Sequence, residues 1–178
     1  MTNQALVVGA SGIVGSALSR LLADEGWNVA GLARRPNTEA GVTPISADLL
    51  DPKALASALA GVSPTHVFLT TWARQASEAE NLRVNAQMVR NLLEAVRPAG
   101  TLRHLALVTG LKHYLGPFEA YGKGALPQTP FREERGGWMS RTSITPRKMR
   151  CSPRRSAMAS AGACIARTPS PASRSATP

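Results

Sequence analysis

Three glycines near the amino terminus have the spacing of a phosphate-binding turn. Gly9, Gly12 and Gly15 follow an apolar run at residues 6–8 and precede a helical apolar pattern that starts at Ile13. A strand, a glycine turn and a helix in this order point the unpaired amides of the helix N-terminus at an anion. Gly9 would make the tight turn, Gly12 would admit a pyrophosphate, and Gly15 would let the helix lie close to the strand. The turn predicts cofactor contacts from Gly9, Ser11, Gly12, Ile13, Val14 and Gly15, although G-x-x-G-x-x-G also fits an ordinary strand-to-helix turn.

Two adjacent arginines stand where a second strand is expected to end. An acid at this position usually binds the ribose 2′-hydroxyl of NAD, but the sequence has Arg34 and Arg35 there with no acid beside them. Two guanidinium groups suit the 2′-phosphate of NADP, because they form charge-assisted hydrogen bonds with phosphate oxygens. The pair favours NADPH as the cofactor, and a solvated arginine pair on a surface turn is the alternative.

Asp48 and Leu49 follow the third predicted strand. The carboxylate of Asp48 could accept a hydrogen bond from the adenine amino group, with Leu49 beside it. The alternative role for Asp48 is a helix cap. Asp51 is better placed for that role, since it directly precedes Pro52 at the start of the next predicted helix.

The candidate residues share one edge of a predicted Rossmann-type sheet. Strands are predicted at 6–8, 27–33, 42–47, 66–70 and 102–108, and helices from 13, at 52–60 and at 78–96. This alternation predicts an α/β fold with a parallel sheet of order 3-2-1-4-5 and helices on both faces. Thr70, Trp72 and Thr109 then join the glycine turn at the carboxyl edge, where such sheets hold ligands. The expected apolar helix faces are Ile13, Ala17, Leu18, Leu21 and Leu22 in the first helix and Leu82, Ala86, Val89, Leu92, Leu93 and Val96 in the third.

Most of the formal charge of +10 is carried by the end of the chain. Residues 1–135 contain 13 Lys or Arg and 11 acids, a net charge of +2, whereas residues 136–178 contain the other 8 Lys or Arg and no acid. The basic tail has no aromatic residue after Trp138, which disfavours a nucleic-acid partner. Cys151 and Cys164 lack metal-ligand spacing, so no metal is expected. Without a membrane-length apolar run or a leader, the sequence predicts a cytoplasmic protein with no membrane partner.

Several segments resemble one branch of the extended short-chain dehydrogenases/reductases, the progesterone 5β-reductase and iridoid-synthase-like family. The matching segments occur in order over the first three quarters of the chain; they are the glycine turn, Ala33–Pro36, Thr70–Ala73, Glu78–Asn81 and Lys112–Glu119. The last segment is the most specific, and an ordered set of such segments is hard to obtain by chance.

The resemblance implies NADPH-dependent reduction of an activated carbon–carbon double bond in a small molecule, such as an enone. Hydride would pass from the nicotinamide to the β-carbon while an active-site tyrosine stabilises the developing enolate oxygen. Lys112 matches the catalytic lysine of the family, whose ammonium would hold the nicotinamide ribose and lower the pKa of a neighbouring phenol. Without the resemblance, a lone lysine is more often a solvated surface charge.

The chain departs from the family after Gly137. The Asn-Phe-Tyr-Tyr motif that carries the partner tyrosine is absent, and the sequence from Trp138 is rich in Arg, Ser, Pro, Ala and Thr. This composition predicts a disordered basic tail at 136–178 and an incomplete Rossmann domain at 1–135. The domain would lack its closing strands and substrate lobe, which predicts an unpaired sheet edge and little or no turnover.

Three alternative functions stay open. Another short-chain reaction, such as epimerisation or carbonyl reduction, would share the glycine turn but not the Lys112–Glu119 segment. A non-catalytic NADPH-binding or sensing module would bind the cofactor without consuming it, and the absent tyrosine favours this function for the chain as given. A nucleic-acid-binding protein would use the arginine-rich tail and bind with steep salt dependence.

A one-base shift of the reading frame near Gly137 accounts for the missing motif. In the shifted frame the codons of Trp138–Ser140 permit Leu-Asp-Val, and those of Arg141–Thr145 permit Glu-Asn-Phe-Tyr-Tyr. Codons around Ile165–Ser170 permit a second stretch that resembles the family. We therefore expect resequencing of the gene across Gly136–Pro178 to find one missing or extra base. A gene with no alternative open frame at this point would contradict the hypothesis.

Overall fold

The part of the chain that the structure describes contains one six-stranded sheet and the helices that connect its strands. This computed structural model describes residues 3–37, 39–116, 123, 129–132 and 163–167, with the backbone alone at 112, 113 and 163–167. The elements are β1 Gln4–Val8, α1 Ile13–Asp24, β2 Asn28–Ala33, β3 Val42–Ser46, α2 Pro52–Ala58, β4 His66–Leu69, α3 Glu78–Val96, a 3₁₀ turn at Arg97–Ala99, β5 His104–Val108, α4 Lys112–Leu115 and β6 Ala163–Arg167. Each described helix is too short or too polar to cross a lipid bilayer.

The sheet has the order β3-β2-β1-β4-β5-β6. Strands β1 to β5 are all parallel, which confirms the predicted order 3-2-1-4-5. The sixth strand lies in the tail and pairs antiparallel with β5, from His104↔Arg167 to Val108↔Ala163. The edge of β5 is therefore paired where the sequence analysis expected it to be open. Composition does not reveal such a strand, because pairing uses backbone groups that every non-proline residue has. The rest of the tail and the predicted domain boundary at 135 lie outside the described residues.

Alternate residues of β1 build the core on both faces of the sheet. Leu6 and Val8 are fully buried and pack in one cluster with Leu55 of α2 and Leu92 of α3. Ala5 and Val7 alternate with them, face the other way and form a smaller cluster with Leu22 of α1. Because both faces of this central strand are buried, its sequence is continuously apolar.

Helix α1 presents only part of its predicted apolar face to the sheet. The buried residues of α1 are Gly15, Ser19 and Leu22, whereas Ile13 and Leu21 are 92 % and 44 % exposed. The prediction is confirmed for Leu22 and Leu18, which pack in the core cluster, but it was wrong for Ile13 and Leu21 because small residues occupy the rest of the contact. Gly15 and Ser19 let the helix axis approach the sheet more closely than leucine would.

Helix α3 departs from its predicted face in a similar way. Its buried residues are Asn81, Val84, Asn85, Met88, Asn91, Leu92 and Val96, so three of the seven are asparagines. Leu93, which the pattern placed in the core, is 37 % exposed. The pattern placed Leu92 and Val96 in the core correctly, but it missed the asparagines because it counts them as surface residues, whereas these side chains form hydrogen bonds inside the protein.

Two histidines lie side by side at the amino edge of the sheet, opposite to the predicted site. His66 and His104 are register partners on β4 and β5, and their ring centroids are 5.8 Å apart. Trp27 packs edge-on against His66, with 4.9 Å between the ring centroids. Burial lowers the pKa of His66, and the positive charges of His104 and Arg103 lower this pKa further. The fold therefore favours the neutral form of the His66 ring.

We expect the fold to lose stability as the pH falls through the ordinary histidine pKa of about 6.5. In this range the unfolded chain protonates His66 while the folded chain keeps it neutral, so the unfolded state binds more protons and acid favours unfolding. Thermal unfolding followed over a pH series would measure this effect. The Tm of His66→Asn should vary less with pH than that of the wild-type protein, and an identical pH dependence of the two Tm values would contradict the assignment.

Candidate dinucleotide-binding site

The turn after β1 is held against the end of β2. The amides of Gly9 and Ala10 both donate to the carbonyl oxygen of Leu32, at 2.8 and 3.2 Å. Gly9 has a φ of +91°, which side chains with a Cβ rarely adopt. A Cβ at this position would also lie 2.9 Å from Oγ1 of Thr70. The tight turn that the spacing predicted at Gly9 is therefore present.

Two further glycines allow close packing around this turn. A Cβ on Gly15 would lie 2.1 Å from the carbonyl oxygen of Gly9, so only glycine lets α1 lie against the turn. Gly31 in β2 has a similar role that the sequence analysis missed, because a Cβ there would lie 2.9 Å from side-chain carbons of Ala10 and Val42. The available signal was a glycine inside an apolar strand pattern, which often marks a close backbone approach.

The amino end of α1 has no side-chain cap. Gly12 is the N-cap residue, with extended backbone angles of −84° and 167°, and the first turn contains no acidic residue. Ser11, Gly12, Ile13 and Val14 are all exposed at this end of the helix. Uncapped amides at the positive end of a helix dipole form a site for an anion such as a pyrophosphate.

Arg34 and Arg35 are exposed immediately after β2. The hydroxyl of Ser46 donates to the carbonyl oxygen of Arg34 at 3.1 Å, which ties the backbone of this turn to β3. Glu39, later in the same loop, lies 3.8 Å from Nε of Arg20 on α1. Among the described residues, no ion pair joins either arginine of the turn to a carboxylate, so their positive charge is available to an anionic ligand.

The turn after β3 exposes the carboxylate of Asp48. Its Oδ1 accepts from the amide of Leu50 at 2.9 Å, and its carbonyl oxygen accepts from the amide of Asp51 at 3.1 Å. The cap of α2 is formed by Asp51, whose Oδ1 accepts from two amides of the first helical turn at 3.1 and 3.0 Å. Leu49 is buried, and its carbonyl oxygen accepts from Nδ2 of Asn91 at 2.7 Å. The capping role thus belongs to Asp51, and one face of Asp48 stays accessible at the site.

The side chain of Thr70 faces the neighbouring strand. Its amide and its hydroxyl both donate to the carbonyl oxygen of Val8, at 2.9 and 2.8 Å. Thr70 therefore supports the end of β1, from which the glycine turn leaves. Trp72, two residues later, is 49 % exposed at the carboxyl edge. The predicted cofactor contacts of Thr70 and Trp72 stay predictions.

Two buried asparagines of α3 hold the loop that follows β4. Asn85 accepts from the amide of Ala73 at 2.9 Å and donates to the carbonyl oxygen of the same residue at 2.8 Å. Asn81 accepts from the amide of Gln75 at 2.6 Å. Neither residue was among the site residues predicted from the sequence. The signal that could have found them is the repetition of asparagine on one face of an amphipathic helix.

The far side of the site is formed by the end of β5 and by α4. Thr109 is partly buried directly after β5, and Lys112 is the first residue of α4. The side chain of Lys112 lies outside the described residues, so its catalytic role stays a prediction. The ring of Tyr114 stacks on Phe131, with 5.1 Å between centroids and an interplanar angle of 9°. This contact packs Phe131 against α4.

Comparisons with known proteins place the chain in a family. Residues 5–136 match the model of the NAD dependent epimerase/dehydratase family. The chain therefore belongs to this family. A crystal structure of a short-chain dehydrogenase/reductase superfamily protein from Agrobacterium tumefaciens with bound NAD has a TM-score of 0.52 and 26 % sequence identity to it, and the match covers 63 % of this chain and 34 % of that one. A structure of the Bordetella bronchiseptica enzyme WbmG with NAD and UDP has a TM-score of 0.54 at 23 % identity, over 66 % of this chain and 41 % of that one, and shares the fold.

Curated relatives identify the branch of the superfamily that the chain resembles. An (S)-8-oxocitronellyl enol synthase from Camptotheca acuminata and a 3-oxo-Delta(4,5)-steroid 5-beta-reductase from Arabidopsis thaliana are each 40 % identical to it over 141 residues. Both alignments cover 73 % of this chain and 36 % of the relative. These matches confirm the family resemblance of the sequence. The chain spans about a third of the length of these relatives.

Replacement of Gly15 by alanine tests the close approach of α1 to the glycine turn. A Cβ placed 2.1 Å from a backbone oxygen forces the helix away, so we expect Gly15→Ala to lower the free energy of unfolding by about 2 kcal/mol or more. Gly110→Ala is the matched control, because a Cβ at Gly110 meets nothing within 4 Å. Urea unfolding of the two variants would measure the difference, and equal stabilities would contradict the geometry.

Proposed function

We propose that this chain is the cofactor-binding part of an NADPH-dependent oxidoreductase that reduces an activated carbon–carbon double bond, such as that of an enone. The observation that carries the proposal is the uncapped N-terminus of α1, held by Gly9 and Gly15 beside the exposed pair Arg34 and Arg35. The curated relatives, an enol synthase and a 5-beta-reductase by name, support the type of reaction.

The order of the strands divides the proposed site into two halves. β2 and β3 lie on one side of β1 and bring Arg34, Arg35 and Asp48 to that side. β4 and β5 lie on the other side, with Trp72, Thr109 and α4 at their carboxyl ends. A dinucleotide lying across the glycine turn would place its adenosine half over β2 and β3 and its nicotinamide half over β4 and β5.

The adenosine half of the site and the glycine turn would recognise different chemical groups of the cofactor. The arginines would pair with the 2′-phosphate, which distinguishes NADPH from NADH, and Asp48, beside the buried Leu49, would accept from the adenine amino group. The amides around Gly12 would bind the pyrophosphate. Residues proposed to contact the cofactor are Gly9, Ser11, Gly12, Ile13, Val14, Gly15, Arg34, Arg35, Asp48, Leu49, Thr70, Trp72 and Thr109.

NADPH, when bound, supplies the hydride for the reduction. We assign to Lys112 the role that the resemblance implies, in which its ammonium holds the nicotinamide ribose and lowers the pKa of a nearby phenol. The tyrosine that would stabilise the enolate oxygen belongs to a family motif that this sequence lacks. The proposed substrate is a small molecule, and the proposed compartment is the cytoplasm.

A non-catalytic NADPH-binding module is the second candidate function. It is favoured because the sequence lacks the Asn-Phe-Tyr-Tyr motif that carries the partner tyrosine. Incubation with NADPH and a cyclic enone separates the two functions. Loss of NADPH absorbance on addition of the enone indicates a reductase, whereas binding without consumption indicates the module.

Removal of the two arginines tests the NADPH preference. We expect Arg34→Ser/Arg35→Ser to weaken NADPH binding by about tenfold or more, since the charge-assisted hydrogen bonds to the 2′-phosphate are lost. Binding of NADH, which lacks this phosphate, should change little. Isothermal titration with both cofactors measures the ratio of the two affinities. Arg97→Ser, an exposed arginine in the 3₁₀ turn after α3, is the control, and an unchanged ratio in the double variant would contradict the proposed contact.

A further inference from the structure

Asn91 is a buried side chain of α3 that reaches the turn after β3. This turn consists of residues 48–51 and is called the adenine-side turn below. Asn91 is 4 % exposed, and its Nδ2 donates to the carbonyl oxygen of Leu49 at 2.7 Å. Its Oδ1 accepts from Nε2 of Gln87 at 2.7 Å, and Oε1 of Gln87 in turn accepts from Arg90 at 3.0 Å. This chain of hydrogen bonds fixes the orientation of the Asn91 amide, so that its NH₂ group faces the turn.

The bonds within the adenine-side turn set its shape but not its position over the sheet. The bonds from Leu50 and Asp51 to Asp48 are local to the turn. The preceding residue, Ala47, donates to the carbonyl oxygen of Ala33 at 3.2 Å, which ties the start of the turn to β2. The bond from Asn91 joins positions 42 residues apart and connects the turn to a separate helix. Without it, the buried Leu49 carbonyl oxygen would have to move toward another donor or stay unpaired.

We propose that Asn91 is a positioning residue for adenine recognition. It touches no cofactor atom in this account and acts through Leu49, by holding the adenine-side turn where the Asp48 carboxylate can meet the adenine amino group. The inference rests on the proposed function, because it requires that NADPH occupies this edge of the sheet. Beyond that function, the inference assigns selectivity for the base to a side chain on α3, which lies beneath the turn that contacts the adenine.

The test compares NADPH with its hypoxanthine analogue, in which the amino group of the base is replaced by a carbonyl oxygen. We expect the wild-type protein to bind NADPH about tenfold more tightly than the analogue, because a hydrogen bond to a charged group is lost in the analogue. In Asn91→Leu, which removes the donor and keeps a similar volume, the ratio of the two affinities should fall close to one. Asn91→Ala removes the same donor without added bulk and provides a second variant in case the first does not fold.

Thr101→Val is the matched structural control. The hydroxyl of Thr101 donates to the carbonyl oxygen of the buried Pro64 at 2.9 Å, so this variant also removes a side-chain donor from a distant carbonyl, but at the amino edge of the sheet. It should lower the Tm and keep the wild-type ratio of affinities. A purely structural role of Asn91 would weaken both ligands equally and leave the ratio unchanged.

The possible results separate the inference about Asn91 from the proposed function. An affinity ratio close to one in the Asn91 variants, with the wild-type ratio in Thr101→Val, supports the inference. The inference is overturned if the ratio of the two affinities is unchanged in the Asn91 variants, or if the wild-type ratio is one. In either case, binding of NADPH still supports the proposed function. If the wild-type protein binds neither ligand, the proposed function fails and the inference fails with it.

Discussion

The site depends on the close approach of α1 to the backbone of the glycine turn. A single Cβ at Gly15 would stand 2.1 Å from the Gly9 carbonyl oxygen, so the helix reaches this position only because the residue is glycine. The approach places the uncapped amides of α1 at the carboxyl edge of β1. The other features of the turn maintain this geometry, including the two amide bonds to Leu32 and the bonds from Thr70 to Val8. The proposed anion site is therefore a consequence of backbone packing.

A second constraint comes from the buried asparagines of α3. Loops at the carboxyl ends of parallel strands leave the regular hydrogen-bond ladder, and their backbone groups need other partners. Asn81 and Asn85 supply these partners after β4, and Asn91 supplies one after β3. Side-chain amides suit this task because each offers both a donor and an acceptor. One helix thereby fixes the loops on the two sides of the glycine turn.

Much of the fold follows from sequence patterns that act locally. The buried strand β1, the cap at Asp51 and the alternation of strands and helices were all predictable, because each depends on neighbouring residues. The parallel order of β1 to β5 followed from the general rules for connecting such elements. The glycine spacing likewise located the tight turn at Gly9 and the close contact at Gly15.

The remaining features depend on long-range partners that one sequence does not reveal. The buried faces of α1 and α3 were predicted only in part, since Ser19 and Asn91 are polar by type and are nevertheless buried beside the expected Leu22 and Leu92. Gly31 gave only a weak signal, because the reason for a glycine there is the side chain of Ala10 on another element. The pairing of β6 with β5 depends on backbone groups, which composition does not describe.

The most direct test of the account is a map of the backbone amides that respond to NADPH. Hydrogen exchange of the full chain, measured with and without the cofactor, reports which amides become protected. The account predicts protection at the amino end of α1, around Gly12, and in the turns that carry Arg34 and Asp48, with little change at the amino edge around His66. Protection confined to other parts of the chain, or no protection at saturating NADPH, would contradict the central claim that the uncapped N-terminus of α1 is the cofactor site.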